Sequence, residues 1–366
     1  FSRDGYSAQN SSNGRSTIPS GVDSDSFGTK NDSKLVKHIS MNYLKKLIDN
    51  GTLSREEARS CMIQIGRNEI SDAQIVAIIT TIQMRGLQLS ELEGFQDALI
   101  ELAKPLNLQT EQSIDCCGTG GDGKNTFNIS TLTSFILASM GYKVVKHGNY
   151  GVSSLCGSST VLEYLGYEFS SDSKELQRQL DQNNICFLHA PLFHPALLHV
   201  APLRQSMGIA TLFNGLGPLV NPHHSTHQLT GTYSLELAKQ YQHILKSKRS
   251  NFAVLYGLSG YDELTFIGGT RVLKADSDQL IQHAPNQLEI KPEEISGGNS
   301  VSESARIFTA ILRGEGSESQ NTVLSGNVAL ALQTLEPELT FGHAFSRADE
   351  QIRSGKAFYT FKNVCL

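Results

Sequence analysis

The amino-acid sequence predicts an α/β protein with a small helical N-terminal domain and a larger α/β domain built on a mainly parallel central sheet. Residues 34–104 carry helical patterns alone. From Ser113 onward, short apolar runs alternate with helical runs, which is typical of parallel sheets. The chain has 366 residues, enough for two domains with a sizeable core.

The composition is compatible with a soluble globular enzyme. Hydrophobic residues make up 39% of the chain, charged residues 18%, and the net charge is −5. A negative balance gives nucleic acid no electrostatic support as a partner, and no apolar run is long enough for a membrane span, so we expect neither partner. Six cysteines without a CxxC pair argue against zinc and favour a reducing compartment, the cytoplasm.

The N-terminal third begins with a tail and continues as helices. Residues 1–33 are rich in Ser, Gly, Asn and Asp, which predicts a disordered tail without the apolar core of a signal peptide. Residues 34–105 predict a domain of four helices, of which Pro105 ends the last. Three candidate capping boxes mark helix starts, at Ser54/Glu57, Ser71/Gln74 and Ser90/Glu93.

The α/β part contains apolar runs that predict strands, at 114–117, 143–146, 185–188 and 252–256. Ligand-binding loops then lie at the carboxyl ends of these strands. Residues 191–207 are again helical, and the tail from Ala305 predicts helices with a break at 314–316.

A glycine-rich loop follows the first predicted strand, with Gly118, Gly120, Gly121 and Gly123 inside six residues. Glycines allow close backbone approach, and the helix start at Asn128 offers unpaired N–H groups, so the loop suits a phosphate. Two general motifs match: the dinucleotide fingerprint GxGxxG, and most of a P-loop ending in Lys124, with Asn125 where Ser or Thr is usual. A glycine turn without a ligand is the plainer alternative.

The stretch GTGGDG…NIST, followed by KHGN, LFNGLGPLVNP and GYDE, resembles the anthranilate phosphoribosyltransferase family over roughly residues 35–366. The resemblance implies transfer of the 5-phosphoribosyl group from phosphoribosyl pyrophosphate to anthranilate, in tryptophan biosynthesis. It also implies Mg2+ as cofactor and a homodimer formed through the helical domain. By the same resemblance, 190–212 completes the helical domain of 34–105, and the α/β domain comprises 106–189 and 213–366.

The resemblance also implies which residues bind the substrates. The donor-binding residues are Gly118, Gly120, Gly121, Asp122, Thr126, Asn128, Ser130, Thr131, Lys146, Ser153, Ser154 and Ser158. The acceptor-binding residues are Gly118, His147, Asn149, His194 and Arg204. Helix capping alone also explains Ser130 and Thr131, and a polar turn explains the later serines.

The metal ligands implied are Ser130, Asp262 and Glu263. Adjacent carboxylates after a strand suit Mg2+, which takes a few carboxylates plus water and phosphate oxygens. We expect Asp262 and Glu263 to be exposed loop residues with little packing. No residue is assigned as general acid or base, since an aniline nitrogen is already unprotonated at neutral pH.

The sequence departs from the family pattern at Tyr150, Leu198 and Ala210, where other members carry Arg or Lys. Two same-class alternatives stay open, another aromatic acceptor and a nucleoside phosphorylase of the same fold. A nucleotide-binding regulatory module without turnover is a third. The intact metal positions Ser130, Asp262 and Glu263 favour an enzyme.

Overall fold

The computed structural model describes residues 42–151, 157–248 and 251–365. The predicted tail at 1–33 lies outside the described residues. The first helices are α1 (42–48), α2 (Arg55–Gly66), α3 (Asp72–Arg85) and α4 (Leu89–Glu101). The prediction of four N-terminal helices is therefore confirmed.

The capping boxes of α2 and α3 are present as predicted. Ser54 caps α2, because the Glu57 N–H donates to its Oγ (3.2 Å) and its own N–H donates to Glu57 Oε2 (2.7 Å). At α3 the Ser71 N–H donates to Gln74 Oε1 (3.3 Å). These reciprocal bonds satisfy backbone donors that a helix start leaves open.

The predicted capping box at Ser90/Glu93 is wrong. α4 begins earlier, and its box pairs Gln88 with Glu91. Glu91 takes this position because it is fully buried and has partners outside α4: it accepts from the Leu53 N–H (2.9 Å) in the loop before α2 and pairs with Arg85 of α3 (2.7 Å). Ser90 Oγ instead donates to the carbonyl of Leu53.

A seven-stranded sheet forms the centre of the second part, in the order β3-β2-β1-β4-β5-β6-β7. The strands are β1 (Ile114–Cys116), β2 (Val144–Gly148), β3 (Ile185–His189), β4 (His227–Gly231), β5 (Asn251–Gly257), β6 (Thr270–Leu273) and β7 (Asp278–Ile281). The first five in this spatial order run parallel, and β6 and β7 are antiparallel additions. The order reverses beside β1, and such a switch point favours a ligand crevice at the carboxyl ends of β1 and β4.

Helices cover both faces of this sheet. The helices that follow α4 in the chain are α5 (Ile129–Ser139), α6 (Ser158–Tyr164), α7 (Ser173–Asn183), α8 (Ala190–Phe193), α9 (Val200–Met207), α10 (Leu235–Lys248), α11 (Val301–Leu312), α12 (Glu318–Leu335), α13 (Phe341–Arg353) and α14 (Ala357–Cys365). The predicted break at 314–316 separates α11 from α12 as expected. The helical stretch predicted at 191–207 is divided into α8, a 3-10 turn at Pro195–Leu197 and α9.

Two large apolar cores hold the molecule together. One packs α5, α11 and α12 against the sheet around Phe135 and Phe308. The other joins α2–α4 to Val200 of α9 and to Tyr241 of α10. Because α9 packs into this second core, the chain returns to the helical part after β3. The domain division itself stays a prediction. None of the described helices combines the length and apolar character needed to cross a membrane.

Candidate active site

An open cleft lies at the carboxyl ends of the central strands. Most predicted site residues in the described part of the chain line it: Gly118, Gly120, Gly121, Asp122, Thr126, Asn128, Ser130, Lys146, His147, Asn149, Ser158, Arg204, Asp262 and Glu263. Thr131 and His194 are buried and do not line it. Ser153 and Ser154 lie outside the described residues.

The glycine-rich loop takes the conformation that only glycine adopts easily. Gly120 and Gly121 have φ of +59° and +76°. A Cβ on Gly121 would lie 3.3 Å from the Ala210 Cβ and 3.5 Å from Asn214 Nδ2. The positive φ therefore favours glycine at both positions, and at Gly121 the neighbouring side chains also leave little room for a Cβ.

Asp262 and Glu263 are not the exposed, lightly packed pair that the sequence suggested. Asp262 is 8% exposed, and its Oδ2 accepts from the Gly120 N–H (2.8 Å). The pair follows β5 and folds back onto the end of β4, where a Cβ on Gly231 would overlap the Asp262 carbonyl oxygen. This close approach places both carboxylates at the centre of the sheet edge, where they are packed on several sides.

The carboxylates also raise one another's pKa. Burial, followed by the nearby charge of Asp122, raises the pKa of Asp262 to about 7. Burial and then Asp262 and Asp122 hold the pKa of Glu263 well above its usual range. Burial and neighbouring carboxylates thus disfavour the charged forms of Asp262 and Glu263, and a bound cation would relieve this repulsion.

The donor set fits Mg2+ better than a softer metal, because it consists of oxygens alone. Among the described residues, no three His, Cys, Asp or Glu side chains form a closed metal cage. Mg2+ does not require one, since it keeps waters and takes phosphate oxygens from its substrate. Asp262, Glu263 and Ser130 together therefore fit an ion that is completed by a phosphorylated ligand.

Lys146 joins the end of β2 to this group. Its side chain is 4% exposed, and its Nζ donates to the carbonyl of Cys116 and lies 3.4 Å from Ser130 Oγ. The Ser130 N–H in turn donates to Glu263 Oε1 (3.0 Å). At the same helix start, Asn128 Nδ2 lies 3.4 Å from Ser158 Oγ, so donors from α5 and α6 face each other.

His147 is held as a neutral imidazole. Its backbone N–H donates to Asp115 Oδ1 (3.1 Å), and its Nδ1 lies 3.0 Å from the carbonyl of Gly217, to which it donates. Burial lowers the pKa of His147 to about 3, and the neighbouring His194 contributes to this lowering. His147 therefore contributes no positive charge at neutral pH.

Arg204 brings a mostly buried cation into the cleft. It lies on α9, stacks over the Phe213 ring at 5.4 Å and donates to Asn214 Oδ1 (3.3 Å). Burial lowers its pKa, but a guanidinium stays charged in proteins. Within the described part of the chain, its Nε–H has no acceptor. A charged, incompletely paired guanidinium in a cleft is a ready site for a carboxylate.

Sequence reasoning missed three residues that shape this site. Asn214, which orients Arg204, stands inside the LFNGLGPLVNP stretch that gave the resemblance. Lys124 lines the cleft, and the P-loop match was its only signal. Asn327 of α12 exchanges two hydrogen bonds with the backbone of Leu264, next to the carboxylate pair. A lone Asn inside a helix gives no sequence signal for such a role.

The three departures from the family pattern differ in position. Tyr150 lines the cleft and donates from its hydroxyl to Glu163 Oε1 (2.7 Å). Ala210 lies beside Gly121, where its Cβ would be 3.3 Å from a Cβ added to that glycine. Leu198 is 55% exposed and does not line the cleft.

Comparison with known proteins agrees with this architecture. The family described as "Glycosyl transferase family, helical bundle domain" matches residues 41–103, and "Glycosyl transferase family, a/b domain" matches residues 110–358. The anthranilate phosphoribosyltransferase of Christiangramia forsetii is 46% identical over 322 residues, covering 88% of this chain and 97% of that protein.

Two solved structures have the same fold. The anthranilate phosphoribosyltransferase (TrpD) of Thermus thermophilus matches with a TM-score of 0.81 at 29% identity, covering 88% of this chain and 98% of that one. The Saccharomyces cerevisiae enzyme "in complex with PRPP and Mg" matches with a TM-score of 0.82 at 25% identity, covering 90% and 97%. On these matches and on its own site, the chain belongs to the anthranilate phosphoribosyltransferase family.

Proposed function

We propose that this enzyme transfers the 5-phosphoribosyl group from phosphoribosyl pyrophosphate to anthranilate, giving N-(5-phosphoribosyl)anthranilate and pyrophosphate in tryptophan biosynthesis. One observation carries the proposal. A single cleft contains a glycine-rich loop suited to phosphate, the carboxylates of Asp262 and Glu263 and, beside them, the half-buried guanidinium of Arg204. The reaction needs both features, because its donor carries a diphosphate and its acceptor carries a carboxylate beside the amine.

The donor side of the proposal uses the glycine loop and the carboxylates. Gly118, Gly120 and Gly121 present backbone to the diphosphate, and Lys146 adds a positive charge. Asp262, Glu263 and Ser130 would hold Mg2+, which when bound neutralises charge on the departing pyrophosphate. The chain's own contribution is to position the diphosphate for the transfer.

The acceptor side uses Arg204 as the carboxylate clamp. Asn214 fixes the guanidinium, so that a bound anthranilate presents its amine toward the ribose carbon. The amine nitrogen forms the new C–N bond as the C–O bond to pyrophosphate breaks, and the nitrogen then loses a proton. An aniline nitrogen attacks without prior deprotonation, so the neutral His147 is not required as a base.

Turnover of anthranilate and phosphoribosyl pyrophosphate with Mg2+ tests the proposal directly. Arg204→Ala is expected to raise the anthranilate KM about ten- to a hundredfold, because it removes a charge-assisted hydrogen bond worth roughly 1.5–3 kcal/mol. The donor KM should stay within about twofold. Arg204→Lys should recover only part, because Lys lacks the planar fork. Arg178→Ala, on the exposed face of α7, is the matched control.

Two results would contradict the proposal. If wild-type enzyme consumes the donor with another amine or a base and ignores anthranilate, the acceptor assignment is wrong. If Arg204→Ala uses anthranilate as well as wild type does, the carboxylate is bound elsewhere. A protein that binds the donor without any turnover would indicate the regulatory alternative.

We also propose a homodimer formed through the helical part and a cytoplasmic location. Met84 of α3 is 85% exposed and Ile48 of α1 61%, which is unusual for large apolar side chains and supports a contact there. Sedimentation of wild type and of Met84→Lys tests the dimer, and cell fractionation tests the location. A monomeric wild type would contradict the proposed homodimer.

A further inference from the structure

The glycine-rich loop carries a lysine, Lys124, to which the proposed function gives no role. Lys124 lines the cleft and occupies the lysine position of the P-loop spacing that begins at Gly118. The loop follows β1 and leads into α5, although α5 begins only at Ile129, beyond the position of a P-loop helix start. In a P-loop the lysine contacts phosphate, so the spacing indicates that Lys124 could reach a phosphate in this cleft.

The side chain of Lys124 spans two loops of the cleft. Its backbone N–H donates to Asp122 Oδ1 (3.0 Å). Its Nζ lies 4.9 Å from the centre of the Tyr261 ring, and Tyr261 directly precedes Asp262. Its Cε lies 3.7 Å from where a Cβ on Gly260 would be. The ammonium group therefore lies beside the loop that carries the proposed metal ligands.

Lys124 differs from the other two cations that line the cleft. Lys146 donates to the Cys116 carbonyl, and Arg204 donates to Asn214. Lys124 makes no hydrogen bond or ion pair from its Nζ within the described residues; its contact is the Tyr261 ring. An ammonium has three donors, and a ring contact at a partly exposed site is weaker than a charge-assisted hydrogen bond to phosphate. An arriving phosphate oxygen would therefore displace the ring.

The charges of the cleft also favour a cation here. Three carboxylates line it, at Asp122, Asp262 and Glu263, and Asp122 is the one nearest to Lys124 along the chain. A diphosphate close to Asp122 would be repelled unless a positive charge stands between them. The side chain of Lys146 contacts Ser130 and that of Arg204 contacts Asn214, whereas Lys124 is bonded to Asp122 through its backbone N–H.

We propose that Lys124 binds the diphosphate group of the donor, and the pyrophosphate that leaves, by moving from the Tyr261 ring onto a phosphate oxygen. The inference rests on the proposed function for the identity of the donor. Its direct ligand, inorganic pyrophosphate, can be measured without any acceptor.

The test uses the full chain with three substitutions, Lys124→Gln, Lys124→Arg and, as control, Lys174→Gln on the exposed start of α7. Calorimetry measures the Kd of pyrophosphate in excess Mg2+ at several salt concentrations, and circular dichroism confirms folding. Lys124→Gln is expected to weaken pyrophosphate about ten- to a hundredfold and to flatten the salt dependence, while Lys124→Arg stays within about threefold. The donor KM should change in parallel, and the anthranilate KM should not.

Unchanged pyrophosphate affinity and salt dependence in Lys124→Gln would overturn the inference. A lower thermal midpoint with unchanged affinity would show that Lys124 only braces the loop against Tyr261, and this also overturns it. Failure of the proposed function looks different: wild type would bind pyrophosphate with the expected Lys124 dependence and yet leave anthranilate unconverted.

Discussion

The Oε1 atom of Glu263 accepts a hydrogen bond of 3.0 Å from the backbone N–H of Ser130. This bond joins the loop after β5 to the first turn of α5, which are far apart in the chain. A proposed metal ligand thus also satisfies an open donor at a helix start. Substitutions at Glu263 should therefore be designed to preserve the bond while removing the charge.

Asp262→Asn and Glu263→Gln are expected to lower kcat/KM at least about a hundredfold, because an amide oxygen is a weak ligand for Mg2+. Both keep an acceptor for the Gly120 and Ser130 N–H groups, so the fold should persist. Without Mg2+ the thermal midpoint should rise by a few degrees, since a buried repulsive charge is gone. Glu289→Gln, an exposed carboxylate, is the control. Near-normal activity in both variants would contradict the magnesium role.

Gly121→Val is expected to raise the donor KM at least about tenfold. The φ of +76° costs a non-glycine residue about 1–2 kcal/mol, and the new side chain would press on Ala210. Because its Cβ would also lie 3.5 Å from Asn214 Nδ2, the anthranilate KM should rise as well. Steady-state kinetics measure both, with Gly342→Val in the open helix position of α13 as control. An unchanged donor affinity would mean that the loop does not hold phosphate.

Asn327→Leu is expected to raise the Mg2+ concentration needed for half-maximal activity several-fold. The substitution removes the bonds to the Leu264 N–H (3.2 Å) and carbonyl (2.8 Å), which fix the backbone beside Glu263. Leaving these buried groups unpaired costs about 1–3 kcal/mol, so unfolding in urea should shift as well. Asn363→Leu on the exposed side of α14 is the comparison. Loss of stability without a change in Mg2+ dependence would limit Asn327 to packing.

His194→Asn is expected to change how stability depends on pH. Burial lowers the pKa of His194 to about 4, against about 6.5 in the unfolded chain. Between these values the unfolded state binds a proton that the folded state does not, so the wild type loses stability as the pH falls below about 6.5. Asparagine lacks this titration. The stability difference between wild type and variant should therefore shrink by about 1 kcal/mol from about pH 7 to about pH 5.5 in urea unfolding. A constant difference would mean that burial does not lower the pKa of His194 below its value in the unfolded chain.

Local patterns predicted β1, β2, β3 and β5 but missed β4, β6 and β7, and the family resemblance supplied most of the cleft residues. The apolar runs at 143–146, 185–188 and 252–256 overlap β2, β3 and β5, and the loops after strands meet because parallel strands end at one edge. What the sequence misjudged depends on distant contacts. The capping box of α4 uses Glu91 instead of the predicted Ser90/Glu93 pair, because the Leu53 N–H and the Arg85 side chain bind the Glu91 carboxylate. Asp262 is buried because β4 meets it at Gly231, and no local pattern at 262 reports this.

Gly231 has no side chain that could contact a substrate. Its position against the Asp262 carbonyl nevertheless has an evolutionary consequence. Any side chain there would displace the carboxylate loop, so drift at this position is blocked even though the residue performs no chemistry. Relatives in which residue 262 has changed are therefore expected to keep glycine at 231. Joint substitution of 231 and 262 should be rarer than substitution of Ala210.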